Sequence, residues 1–158
     1  MSSMTMTNGG LPGFRNHVAG ILAALGGVPF SALQLLLRLG IAAVFFRSGM
    51  TKIANWDFTV ALFTNEYQVP LLPPEVAAAL ATTAELTCPV LLVLGIGARF
   101  GALALLGMTF VIQVFVYPDS WPEHLLWASI LLTILSRGAG VFSIDYLVSR
   151  VFLGIERR

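Results

Sequence analysis

The chain has 158 residues, 57% of them hydrophobic and 11% charged, with a mean hydropathy of +0.85. A soluble domain carries about a quarter charged residues, so this composition excludes a water-soluble monomer, a disordered chain and a collagen-like one. A net charge of +1 is too balanced for a nucleic-acid partner, and a single cysteine, Cys88, excludes an internal disulfide, a CxxC pair and a cysteine-based zinc site. What remains is a small integral membrane protein.

In chain order, residues 1–28 read as a cytoplasmic N-terminal tail and a short interfacial segment. The first dozen residues suit a floppy tail. Val18–Gly27, after Arg15 and His17, reads as a short helix leading into the first crossing. A signal-peptide core is the alternative there, but no cleavage site follows it.

Residues 29–140 hold four membrane helices, at about 29–54, 74–97, 99–117 and 121–137. A crossing needs about 20 mainly apolar residues. Lipid offers no water to unpaired backbone groups, so these segments must be helical. The first contains the apolar runs Leu35–Leu37 and Ile41–Phe46, but also Arg38, Arg47 and Lys52. The second opens at Pro73-Pro74-Glu75, where proline needs no amide partner and the acid meets the positive helix end. Gly95 and Gly97 punctuate the turn before the third. The fourth opens at Ser120-Trp121-Pro122-Glu123, which has the spacing of a capping box, and stops at Gly138-Ala139-Gly140.

Two further segments read as interfacial. Trp56–Thr64 mixes Trp56, Phe58, Leu62 and Phe63 with Asp57 and Thr59, and is placed along the outer surface. Residues 141–158 form a cytoplasmic amphipathic segment, with Ile144, Leu147, Val148 and Val151 set against Asp145, Ser149 and Arg150. No repeat of solenoid type occurs.

Four crossings put both termini on one side. That side collects Arg15, Arg99, Arg137, Arg150, Arg157 and Arg158. The other collects Lys52, Arg47, Asp57, Glu66, Glu75, Asp119 and Glu123, with Trp56, Tyr67, Tyr117 and Trp121 as an aromatic belt. The positive-inside rule makes the first side cytoplasmic. The expected fold is therefore an all-α membrane protein. It has four transmembrane helices in an antiparallel bundle, N and C termini cytoplasmic, and short interfacial helices.

Ionisable residues inside a bilayer need a partner or a function. Arg38 lies roughly 12 Å from the inner end of its helix and Glu85 roughly 18 Å from the inner end of the next. An arginine side chain spans about 6 Å, and consecutive helices are usually neighbours, so an Arg38–Glu85 ion pair is expected. Pro89, four residues on, removes the hydrogen bond to the Glu85 carbonyl and makes the site more polar. Thr82 and Cys88 flank Glu85 by one turn, and Gln113 lies at about 21 Å, near its depth. Arg38, Ala42, Phe45, Gly49 and Lys52 fall within roughly 40° of one line and form a stripe toward the outer face. Arg38, Glu85, Gln113 and Lys52 are thus the candidate intramembrane polar site. Its bland reading is a pair that only fixes helix register, with Gln113 making an interhelical hydrogen bond.

Other residues carry less. Ala77, Ala78, Ala79 and Ala81, and Gly97, Gly101, Ala104 and Gly107, read as close-packing surfaces. Arg47 either snorkels or meets Asp119 or Glu123. His124 reads as an interface residue, and buried Cys88 as a small apolar filler. Met1, Met4 and Met6 have the thioether chemistry of a Cu(I) site but read as an accident of the tail. No metal site is expected, and no catalytic triad, P-loop or nucleotide fingerprint is present.

Taken together, Arg38-Leu39-Gly40, Phe45 or Phe46, Gly49 and Lys52 resemble the first helix of the DoxX family. Tyr67-Gln68-Val69-Pro70 resembles that family's turn before its second helix, and Glu85 stands where the family has a glutamate. Gly138-Ala139-Gly140-Val141-Phe142-Ser143-Ile144-Asp145 is similar to its Gly-Pro-Gly-x-x-Ser-x-Asp close, with Ala139 in place of proline. The resemblance spans about Ser31–Leu147. It implies a four-helix bacterial inner-membrane protein of a family linked to quinone-coupled sulfur oxidation, thiol and oxidative-stress defence, and metal handling.

Two functions follow as expectations. The first is an accessory subunit or anchor of a membrane complex for redox, stress or metal handling, with the bilayer and a protein partner around it. The alternative is a quinone-binding redox subunit. There Arg38 or Gln113 would bond the quinone carbonyls and Glu85 would exchange protons. The sequence has no haem-ligand pair, flavin motif or dithiol, so the electrons would come from a partner protein.

Overall fold

The computed structural model describes residues 12–153. Met1, Met4, Met6, Arg157 and Arg158 lie outside the described residues. Seven α-helices follow in order among the described residues: α1 Pro12–Gly26, α2 Phe30–Ala54, α3 Trp56–Leu62, α4 Pro74–Leu94, α5 Ala98–Val111, α6 Trp121–Arg137 and α7 Ile144–Leu153. Wide π-helical turns extend α3 over Phe63–Tyr67 and α5 over Ile112–Val116. A single 3-10 turn, Pro118–Ser120, leads into α6. Among the described residues there is no strand.

Among the described residues, three helices are long and apolar enough to cross a membrane: α2, α4, and α5 with its following turn. At 17 residues, α6 stands at the lower limit for a crossing. Local chemistry sets the boundaries. Pro74 and Glu75 occupy the first turn of α4, and Gly95 closes it at φ +67°, a left-handed conformation that a side chain resists. The capping box expected at Ser120 does not form. Ser120 precedes α6, but its side chain makes no cap bond, because the 3-10 turn already sets the entry to the helix.

The helices α2, α4, α5 and α6 close into a ring, α2 packing on α4 and α6, and α5 on α4 and α6. The core between them holds Ile41, Phe45, Leu92, Leu105, Leu131 and Ile134. A smaller cluster, Phe63 with Ala77 and Ala78, seats α3 and its turn on α4. Large apolar side chains such as Leu36, Phe100, Phe110 and Leu125 point outward. An exposed surface so apolar is that of a protein bathed in lipid.

Glycine governs two close approaches. A Cβ on Gly49 would stand 2.9 Å from Leu86 Cδ2, so α2 meets α4 closely there, and one on Gly101 would stand 3.3 Å from the Cys88 carbonyl, where α5 meets α4. The expected packing stripe of α5 is displaced. Ala104 and Gly107 are exposed and Gly97 forms the turn, while Ala98, Gly101, Ala102, Leu105 and Thr109 face inward. On α4, Ala77 and Ala78 are buried and Ala79 is exposed.

Candidate functional site

The polar residues of the bundle separate into two groups at opposite ends. Arg38 belongs to the first. Its side chain is wholly buried, 0% exposed. One terminal nitrogen donates to the Leu92 carbonyl at 3.2 Å and the other to the Phe142 carbonyl. Leu92 is in the last turn of α4, where carbonyls have no intrahelical partner, so Arg38 caps that helix. Phe142 precedes α7. Nearby, Gln34 donates to the Gly138 carbonyl at 3.1 Å, and Asp145 accepts from the Gly97 and Ala98 amides at 2.9 and 3.4 Å. Arg38 therefore clasps α2, α4 and the segment before α7.

The expected Arg38–Glu85 pair does not form. Glu85 pairs instead with Lys52, Nζ to Oε2 at 2.7 Å and to Oε1 at 2.9 Å. The cause is the direction of side chains on a helix, which lean toward its N-terminus. On α2, Arg38 leans away from the middle of the bundle and Lys52 leans toward it. On α4, Glu85 leans toward Lys52. Ser48 completes the group, donating to Glu85 Oε1 at 3.1 Å and accepting from Lys52 at 2.8 Å. Glu85 is 3% exposed. Gly49 brings the two helices together beside it: a Cβ there would stand 3.1 Å from Glu85 Cβ.

The Lys52–Glu85 pair faces a cavity of about 570 Å³. Phe63, Tyr67, Leu80, Ala81, Met108 and Ile112 wall it with apolar surface. His124 and Trp127 face in from α6, and Tyr117, Ser120 and Glu123 stand around it. The stripe Arg38–Lys52 is indeed the inward face of α2. It does not line a continuous path, because Phe45 packs edge-on against Trp127 with ring centroids 5.3 Å apart. Only Lys52 of that stripe lines the cavity.

Gln113 does not reach Glu85. It donates to the Pro118 carbonyl at 2.7 Å and bonds His124 Nδ1, also at 2.7 Å. This is the interhelical hydrogen bond of its bland reading. His124 is buried, 5% exposed, with its ring 5.2 Å from that of Trp127. It is a cavity residue and not the interface residue expected. Its i, i+3 spacing to Trp127 on an inward helix face was the available signal. Arg47 is exposed and pairs with neither Asp119 nor Glu123; among the described residues Lys52–Glu85 is the one salt bridge. Cys88 is buried in the core.

Beside the cavity, Tyr117 donates to Glu66 Oε1 at 2.6 Å and meets Tyr67 edge-on at 5.8 Å. The Glu66 carboxylate accepts that hydrogen bond and, together with partial burial and the neighbouring Tyr67, pushes the Tyr117 phenol well above its ordinary range. This contact ties the turn after α3 to the turn after α5.

A cavity of this size with apolar walls and a few convergent polar groups suits a small amphipathic molecule. Lys52 supplies a donor, His124 offers Nε2 as an acceptor because its Nδ1–H is given to Gln113 Oε1, and Glu85 supplies a carboxylate held beside a cation. Comparison with known proteins agrees with a membrane setting. The DoxX family model matches residues 33–118, which run from α2 to the turn before α6. An uncharacterized protein of Haemophilus influenzae is 30% identical over 138 residues, covering 80% of this chain and 89% of that one. No solved structure matches.

Proposed function

This chain belongs to the DoxX family, and we propose that it is a quinone-binding subunit of a bacterial inner-membrane redox complex. In this reading α2, α4, α5 and α6 are four antiparallel crossings with both termini in the cytoplasm. Arg99, Arg137 and Arg150 mark the inner side, and Glu66, Glu75, Asp119 and Glu123 the outer one.

The observation that carries the reading is the apolar cavity converging on Lys52, Glu85 and His124. Its aromatic side chains accept the faces and edges of a ring. Lys52 donates to one ring oxygen, while Gln113 Oε1 accepts from His124 Nδ1 and leaves Nε2 to accept a hydrogen bond from a quinol hydroxyl. Glu85 pairs with Lys52 and offers a carboxylate for proton exchange. Arg38 lies outside the cavity and acts as a structural clasp. A bound quinone supplies the capacity to accept two electrons and two protons, and the electrons arrive from a partner protein.

The test is the quinone content of protein purified from bacterial membranes, measured by solvent extraction and chromatography. The wild type retains quinone near one per chain. Glu85→Gln loses it while keeping the helical circular-dichroism spectrum. A wild type that carries no quinone and takes up none on addition defeats this reading and leaves that of an accessory anchor.

A further inference from the structure

A second cavity, of about 630 Å³, lies at the opposite end of the bundle. It sits between the start of α2, the end of α6 and the first turns of α7, and shares no residue with the quinone cavity. Its polar lining includes Ser31, Gln34, Arg99, Arg137, Asp145 and Tyr146. Two guanidinium groups thus face one carboxylate, and that carboxylate is turned onto the Gly97 and Ala98 amides. Neither arginine has a salt-bridge partner among the described residues. Arg99 spends one nitrogen on the Ser136 carbonyl at 3.3 Å, which fixes it beside Arg137.

We propose that this pocket binds the phosphate headgroup of an anionic phospholipid. Arginine presents planar donors that match phosphate oxygens, and two arginines in one recess, without a salt-bridge partner among the described residues, favour an anionic phosphodiester. Basic pockets among membrane helices on the cytoplasmic side are suited to such headgroups.

The surroundings identify the source as lipid and not free phosphate. The α7 helix, whose first turns border the pocket, exposes Ile144, Leu147, Val148 and Val151, and Phe30 at the head of α2 is also exposed. An amphipathic helix of this kind lies in the bilayer interface. A phosphate between Arg99 and Arg137 then sits at headgroup level, with its acyl chains along the apolar exterior of the bundle. The Asp145 and Arg38 contacts hold α7 in that position.

The experiment is native mass spectrometry of the full chain in detergent with added lipid, beside thermal unfolding. Phosphatidylglycerol binds at least tenfold more tightly than phosphatidylcholine, raises the melting temperature, and loses affinity as salt is raised. Inorganic phosphate alone gives no shift. Arg137→Gln removes the preference and folds normally, because the Arg137 side chain makes no hydrogen bond or salt bridge among the described residues. Arg99→Gln/Arg137→Gln does the same, while Arg47→Gln at the other end keeps it. If the two lipids bind equally, or if Arg137→Gln keeps the preference, the proposal is overturned. An equal shift with inorganic phosphate overturns the lipid assignment.

Discussion

Lys52 Nζ meets Glu85 Oε2 at 2.7 Å between α2 and α4, with side-chain exposures of 14% and 4%. Removing one partner of such a pair leaves the other charge buried and uncompensated, at a cost of about 3–5 kcal/mol. Lys52→Met therefore destabilises the detergent-solubilised protein strongly. Lys52→Met/Glu85→Leu recovers most of that loss, because neither charge remains. Thermal or denaturant unfolding checks this. A double variant as unstable as the single one contradicts the pairing.

Gly95 tests the clasp. A Cβ there would stand 2.4 Å from an Arg38 terminal nitrogen and 2.4 Å from Ser143 Cβ, on a backbone at φ +67°. Left-handed geometry alone costs a side chain about 1–2 kcal/mol, and the displaced guanidinium adds the loss of a buried hydrogen bond. Gly95→Ala lowers the melting temperature markedly. Gly107, with nothing within 4 Å of an added Cβ, accepts alanine with a change of less than about 1 kcal/mol.

Tyr117 ionises late because its neutral form donates to Glu66. A group whose folded-state value is raised favours the protonated native state. Its stabilisation is complete below the ordinary tyrosine value of about 10, and fades as pH climbs from there through the raised value. In an absorbance titration of the three tyrosines, the component lost in Tyr117→Phe is the last to ionise. Glu66→Gln moves that component toward pH 10. An unchanged midpoint in Glu66→Gln contradicts the assigned cause.

The membrane class was legible from composition, and the helix positions from apolar runs bounded by Pro74, Gly95 and Gly138. Their spacing is local, and helix geometry converts it directly into length. The partner of Glu85 was not legible from depth alone. Counting rise along two helices brought Arg38 within reach, but the tilt of each side chain toward its helix N-terminus decides which cation arrives. His124 reads as an interface residue because it lies near the expected outer end of α6; it is buried because it faces inward beside Trp127, three residues on along the same helix face. The Ser120 box had the right letters, but the preceding 3-10 turn set the backbone otherwise.

In the proposed quinone-binding function, the cavity beside Lys52 and Glu85 holds the quinone ring. Trp127 lines that cavity, so in a Trp56→Phe/Trp121→Phe background its fluorescence is the direct reporter. Titrating the purified chain with a short-chain ubiquinone gives saturable quenching with one site per chain, and Ala81→Trp, which fills the cavity from α4, abolishes the uptake of quinone measured by equilibrium dialysis. Quenching that never saturates, or uptake unchanged in Ala81→Trp, contradicts quinone binding in this cavity.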